Sequence, residues 1–365
     1  MPFKPSATKT VRAGINSEPL FGDVVAPVHL STTFAFKEFA EVPEHDYTRA
    51  SNPTRALLGR AIADLEGGYD AVVTASGMAA IAMVIEAFVP VGSLVVAPHD
   101  CYGGTWRLLD SYARKGRLQV EFLDLATPAD IPPAALVIVE SPSNPLLRLT
   151  DIAAVTAAAH AQGALVLADN TFATPMNCQP ISLGVDLVVH SATKYLAGHS
   201  DVVLGAVVSA RAELHEELAF WGKNIGVTAG PIDCYLGLRG LRTLHLRFPA
   251  AEANAQAIAA DLRGQPEVQQ VYYPGFGAIV SFELADTDAV RAFTDGLTTM
   301  SLAESLGGVE TLIAHPATMT HSAMPDDVRA AAGITDGLLR LSVGIEDLGD
   351  LLADIHSGLA RIGLR

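Results

Sequence analysis

Over residues 51–235, short apolar runs alternate with longer stretches of helical period. Seven runs read as strands: 71–74, 93–97, 119–124, 136–140, 164–168, 186–190 and 202–208. Most are continuously apolar, the pattern of strands covered on both faces. Helices fit between them, for example over 79–88 and 151–161. Strands alternating with helices predict an α/β fold with a mainly parallel seven-stranded sheet. Open sheets of this kind place ligands just beyond the carboxyl ends of their strands. Polar residues directly after a strand are therefore the ones to read for chemistry.

Beyond residue 245 the pattern changes. A helix over 250–261, a strand over 277–282, a helix over 287–296, a strand over 338–343 and an amphipathic helix over 347–362 predict a smaller α+β unit. Residues 1–50 are dotted with proline and lack periodicity, yet are rich in Phe, Val and Leu. They are expected to form an arm that docks on another surface, such as a neighbouring subunit. The expected division is thus an arm (1–50), an α/β domain (51–245) and a C-terminal α+β domain (246–365).

Composition narrows the function. The 365 residues carry 24 Lys and Arg against 40 Asp and Glu, a formal net charge of −16. That argues against nucleic acid and anionic membrane as partners, since both need a basic face. Small anionic ligands remain open, because a site can be locally basic. With 50% hydrophobic and 18% charged residues, the chain has the composition of a folded globular protein. The apolar stretch 71–97 is interrupted by Ser76, Gly77, Glu86, Pro90 and Gly92, so it reads as strand, helix and strand, not as a membrane span. Three cysteines without C-x-x-C spacing, and an N-terminus without an apolar h-region, predict a cytoplasmic protein. No H-E-x-x-H spacing occurs, and no metal is expected.

The strand ends carry the chemistry. Thr74-Ala75-Ser76-Gly77-Met78 leaves a strand and opens a helix, as a phosphate cradle does, although ordinary capping has the same residues. Tyr102, beside Gly103 and Gly104, can lie flat on a planar ligand or pack under a turn. Asn144 lies between Pro142 and Pro145, which suits either hydrogen bonding to a ligand or turn chemistry. Asp169 ends a buried run and needs a cationic or N–H partner. Of the six lysines only Lys194 follows a buried run, and desolvation makes such an amine nucleophilic. Ser191 and Thr193 offer hydroxyls to a phosphate on the same ligand. A cradle, a stacking ring, an acid for a ring nitrogen and a nucleophilic amine at successive strand ends are what pyridoxal 5′-phosphate (PLP) requires.

These segments also carry a resemblance. Tyr47-Thr48-Arg49, Asn52-Pro53-Thr54, Asp100-Cys101-Tyr102-Gly103-Gly104, Glu140-Ser141-Pro142-Ser143-Asn144-Pro145, Asp169-Asn170-Thr171 and His190-Ser191-Ala192-Thr193-Lys194-Tyr195 occur in that order. Asn224-Ile225-Gly226-Val227-Thr228, Ala303-Glu304-Ser305-Leu306-Gly307-Gly308, Met319-Thr320-His321 and Leu338-Leu339-Arg340-Leu341-Ser342 follow. With them the chain resembles the Cys/Met-metabolism family of PLP-dependent enzymes, of fold type I and aspartate aminotransferase-like, over nearly its whole length. Within that family it is most similar to the cystathionine γ-synthases.

The resemblance implies roles residue by residue. Lys194 carries PLP and moves protons, and Tyr102 stacks on the ring; these two are the implied catalytic pair. Asp169 meets the pyridine nitrogen, while Gly77, Met78, Ser191 and Thr193 hold the phosphate. Tyr47 and Arg49 reach the phosphate of a neighbouring subunit, which implies a homo-oligomer, at least a dimer and in this family usually a tetramer. Arg340 binds the substrate α-carboxylate with Asn144 and Ser305, and Asp46, Arg107 and Glu304 read the distal groups. The implied reaction makes cystathionine from O-succinyl- or O-acetylhomoserine and L-cysteine, a step of transsulfuration in methionine biosynthesis. A cystathionine γ- or β-lyase of the same family is the alternative.

Two departures, one discriminating residue and one rival stand beside this reading. Ala50 occupies a position where γ-synthases often have a second arginine, so the ester preference stays open. Pro274 joins Gly275 directly where relatives carry a longer insertion. Gly104 in place of Cys disfavours methionine γ-lyase. Ser191-Ala192-Thr193-Lys194 also matches the S-x-x-K pattern of acyl-serine hydrolases, but their S-D-N and K-T-G segments do not occur.

Overall fold

The structure is a computed structural model in which residues 6–125 and 131–363 are described. Residues 1–5 of the expected arm and 364–365 of the expected C-terminal domain lie outside the described residues.

Seven strands form one sheet: β1 (Asp70–Thr74), β2 (Leu94–Pro98), β3 (Gln119–Leu123), β4 (Leu136–Glu140), β5 (Leu165–Asp169), β6 (Leu187–His190) and β7 (Gly205–Ser209). Their order is β1-β7-β6-β5-β4-β2-β3. The strands from β3 through β6 are parallel, and β7 runs antiparallel to both neighbours. The exception has a local cause: β7 returns from β6 through the loop 191–204 without a crossover helix, a connection open to antiparallel neighbours. Every residue of β4 and β7 is buried, as their unbroken apolar runs require. β3 differs, since Gln119 and Glu121 are exposed and it closes one edge of the sheet.

Capping residues start the helices that cover this sheet. Asn52 accepts hydrogen bonds from Thr54 N and Arg55 N at the head of the helix Pro53–Glu66. Asp151 does the same through Ala154 N for the helix Ile152–Ala161. Because β1 to β6 all point one way, Thr74, Pro98, Leu123, Glu140, Asp169 and His190 end along one edge.

A second sheet holds β8 (Gln270–Tyr272), β9 (Ile279–Glu283), β10 (Ser301–Leu302), β11 (Leu312–Ala314) and β12 (Leu338–Ser342), ordered β10-β11-β12-β9-β8. Only β9 and β12 were expected, because runs of two or three residues are too short to show a period. Helices Leu244–Leu262, Thr287–Thr294 and Leu348–Ile362 bury their apolar faces against it. The first of these crosses the expected 245/246 division and includes Pro249. The arm has one short helix, Ala7–Val11, and leaves Leu20, Phe21 and Phe39 at 77%, 81% and 102% exposure. Among the described residues no helix is long and apolar enough to cross a membrane.

Candidate active site

The sheet's carboxyl edge and the second sheet enclose a cavity of about 430 Å³. It is lined by Gly77, Met78, Tyr102, Asn144, Asp169, Ser191, Thr193, Lys194, Glu304, Ser305, Arg107 and Arg340.

One end of the cavity suits an anion. Ser76 Oγ accepts from Ala79 N at 3.1 Å and starts the helix Gly77–Phe88. Gly77 and Met78 lie in its first turn, where N–H groups have no acceptor within the helix. A Cβ on Gly77 would sit 2.9 Å from Ser191 Cβ, so glycine is what lets the Ser191 loop come this close. Ser191 is further held by its N–H, which donates to Thr171 Oγ1 at 2.9 Å. Thr193 lines the cavity, but its hydroxyl donates to Leu204 O at 3.0 Å and accepts from Leu204 N at 2.9 Å.

Lys194 sits in the turn after β6. Its Nζ donates to Ser305 Oγ at 2.7 Å. Burial lowers its pKa to about 8; the Arg340 charge adds to this and Glu304 opposes it. Ser305 holds a φ of +90°, strained for a residue with a side chain, and its carbonyl accepts from Arg340 Nη2 at 3.0 Å.

Arg340 comes from the middle of β12 and is 2% exposed. Its Nη1 donates to Asn144 Oδ1 at 2.9 Å, while its buried Nε has no partner among the described residues. Burial lowers the Arg340 pKa to about 10. Asn144 is fixed further by its carbonyl, which faces His321 Nε2 at 3.0 Å. His321 is buried, and that burial lowers its pKa to about 4, which keeps the ring neutral.

Asp169 closes β5. Burial raises its pKa, and a hydrogen bond from Thr171 N at 3.0 Å opposes that. It makes no ion pair among the described residues. Asp169 is half-buried at the cavity wall; a carboxyl drawn out of water without a cation is costly, and a protonated heterocyclic nitrogen would satisfy it. Tyr102 leads into the helix Gly103–Arg114, and burial raises the pKa of its phenol. A Cβ on Gly104 would lie 2.4 Å from Tyr102 Cε1, so glycine there leaves room for the ring. A carboxyl for a ring nitrogen, free N–H groups for a phosphate and a near-neutral amine between them fit PLP.

Asp46, Tyr47 and Arg49 lie outside the cavity of their own chain. Asp46 Oδ1 accepts from Tyr47 N, and Arg49 Nη1 donates to Lys223 O at 2.6 Å. Sequence reading passed over Glu140 and Thr171. Glu140 had a readable signal: the run Leu-Val-Ile-Val-Glu ends in a carboxylate as Leu-Val-Leu-Ala-Asp does at Asp169. Thr171 had none, because its hydroxyl matters only through Ser191. Of the other histidines, His190 Nε2 lies 2.5 Å from the buried Glu66 Oε1.

Residues 7–360 match the family described as Cys/Met metabolism PLP-dependent enzyme. The chain belongs to that family, and its cofactor is PLP. It is 50% identical over 374 residues to the cystathionine gamma-synthase of Escherichia coli (strain K12), covering 96% of this chain and 97% of that protein. It is 44% identical over 375 residues to a cystathionine beta-lyase of Lactococcus lactis subsp. cremoris (strain MG1363), covering 97% and 98%. A crystal structure of cystathionine gamma synthase from Xanthomonas oryzae pv. oryzae, in complex with aminoacrylate and cysteine, superposes with a TM-score of 0.96 at 49% identity over all of both chains. The expected fold type and cofactor stand, and the acyl-serine hydrolase reading is set aside.

Proposed function

We propose that the protein makes cystathionine by γ-replacement, joining an O-acylhomoserine to L-cysteine with loss of the acyloxy group. The observation that carries this reading is the Asn144–Arg340–Ser305 cluster. It sets a carboxylate receptor with a spare guanidinium N–H beside the Lys194 amine. Likeness to γ-synthases along the whole chain supports the choice of reaction within the family.

PLP, when bound, supplies a protonated ring that takes up the electron pair left when a substrate C–H bond breaks. Gly77 N, Met78 N and Ser191 would hold its phosphate, with Thr193 alongside. Asp169 would meet its nitrogen, Tyr102 would cover its face, and Lys194 would bind its carbonyl carbon. Arg340 grips the substrate α-carboxylate through two nitrogens, and Asn144 steadies the guanidinium. With a pKa near 8, the Lys194 amine is free often enough near neutral pH to take the α-proton at Nζ. Ser305 Oγ, 2.7 Å away, keeps that amine aimed at the substrate Cα. Arg107 and Glu304, at the cavity wall, read the acyl and cysteine ends, and Asp46, outside its own chain's cavity, would join them only in a neighbouring subunit's site, as Tyr47 and Arg49 would.

The proposal extends to assembly. Tyr47 and Arg49 complete a neighbouring subunit's phosphate site, and the exposed Leu20, Phe21 and Phe39 of the arm pack in that dimer or tetramer. The arm, the α/β unit and the C-terminal unit then serve one site. Three unpaired cysteines, two of them buried, agree with a cytoplasmic setting.

The test supplies O-succinylhomoserine or O-acetylhomoserine with and without cysteine and measures cystathionine. Cystathionine from at least one ester is expected. If neither ester yields any, while cystathionine itself is cleaved, the protein is a lyase.

A further inference from the structure

Glu140 closes β4 and is buried. Its two carboxylate oxygens serve two different parts of the cavity wall. Oε2 accepts from Tyr102 N at 2.9 Å, and Oε1 accepts from Asn144 N at 2.7 Å. Tyr102 arrives from the end of β2, 38 residues earlier, and Asn144 arrives on the loop after β4. Each backbone group is the anchor of a side chain that faces the cavity. Glu140 thus bridges the element assigned to the cofactor ring and the element assigned to the substrate carboxylate.

We propose that Glu140 is a positioning residue that couples the seating of Tyr102 on the cofactor to the seating of Asn144 and Arg340 on the substrate carboxylate. This rests on the roles given above to Tyr102 and Asn144. Two charge-assisted bonds to backbone N–H groups are stronger than neutral ones and directional. Leaving either donor unmet in this buried place carries the full desolvation cost of that group. Asn144 is then held at three points: its N–H by Glu140, its Oδ1 by Arg340 and its carbonyl by His321. Only the first of these also reaches Tyr102. Glu140 stands directly opposite Asp169 in the β4–β5 register. Burial and the Asp169 charge push its pKa up, and the two N–H donors pull it back. The buried Glu140 carboxyl beside the half-buried Asp169 also deepens the need for the cation that the cofactor ring brings.

Glu140→Gln keeps the shape but can accept from only one of the two N–H groups. We expect KM for the O-acylhomoserine to rise roughly tenfold, with a smaller fall in kcat. The apoprotein's dissociation constant for PLP, followed by fluorescence titration, should rise severalfold. A cycle with Asn144→Ala should be strongly non-additive in KM, because both changes disturb the same contact. An unchanged KM and PLP affinity with only a lowered melting temperature would make Glu140 merely structural and overturn the proposal, as would additive KM effects. If Glu140→Gln does not fold, Glu140→Asp keeps both acceptors but shortens the reach, and the same shifts are expected of it. Should Asn144→Ala alone leave KM at its wild-type value, the role of Asn144 falls and the coupling falls with it.

Discussion

The two sheets put chemistry into the cavity in different ways. In the seven-stranded sheet the inner strands are mainly apolar, and the candidate residues Tyr102, Asn144, Asp169, Ser191 and Lys194 follow or close them. In the five-stranded sheet Arg340 stands in the middle of β12, between Leu339 and Leu341, and is wholly buried. A strand end offers backbone N–H groups and loops that follow a ligand. The middle of a strand offers rigidity, at the cost of burying whatever it carries. The larger sheet is accordingly suited to hold a cofactor of fixed shape, and the smaller one to place a single strong charge.

That division can be broken from either side. The largest effect is expected for Arg340→Met. Removing one partner of a buried charge-assisted pair costs about 2–5 kcal/mol, so KM for the O-acylhomoserine should rise about thirtyfold or more. The visible absorbance of the bound cofactor should change little, and a lost cofactor band would contradict the division. Next is the pH dependence of cofactor capture by the apoprotein. Burial lowers the Lys194 pKa to about 8 and so frees the amine above that pH. The capture rate should climb about tenfold from pH 7 and then level off, whereas an unshifted lysine would keep gaining up to its ordinary value of 10.5. A smaller effect is expected for Gly104→Ala, whose Cβ would press on the Tyr102 ring. Cofactor affinity should fall severalfold with the substrate KM nearly constant, the mirror image of Arg340→Met.

The last prediction concerns stability without chemistry. In the second sheet's own core, Asp354 accepts from Thr298 N, Thr298 Oγ1, Thr299 N and Met300 N at 2.7 to 3.0 Å. Burial pushes its pKa up, but these donors outweigh burial and hold it below the usual carboxylate value. Its stabilising effect is therefore present above the unfolded-state pKa of about 4 and is lost as pH falls through the lower folded one. Asp354→Asn should cost about 2 kcal/mol in urea unfolding at pH 7. It should also flatten the acid limb of the stability curve and leave kcat/KM unchanged.

Legibility in the sequence followed the same division. The apolar runs of the large sheet could be read because most hold three or four adjacent apolar residues, and a polar residue after such a run stands out. Asp169 and Lys194 were found in this way. Glu140 obeys the same rule, but its role lies in contacts to Tyr102 N and Asn144 N that only the folded chain creates. Arg340 could not be reached by the strand-end rule at all. It entered through family resemblance, since an arginine between leucines is equally consistent with an edge strand facing water. β8, β10 and β11 were too short to carry a pattern.

By itself the sequence determined where strands and helices form and which side chains stand at their ends. Burial period and capping act over a few residues, and both are written locally. Only the tertiary structure decided which ends meet. The order β1-β7-β6-β5-β4-β2-β3 brings the segments of Gly77, Lys194, Asp169, Asn144 and Tyr102 to one edge. Packing of the second sheet sets Ser305 against Lys194, 111 residues away, and Arg340 against Asn144, 196 residues away. Those neighbours follow from which apolar faces must be covered together, and that depends on the whole chain at once.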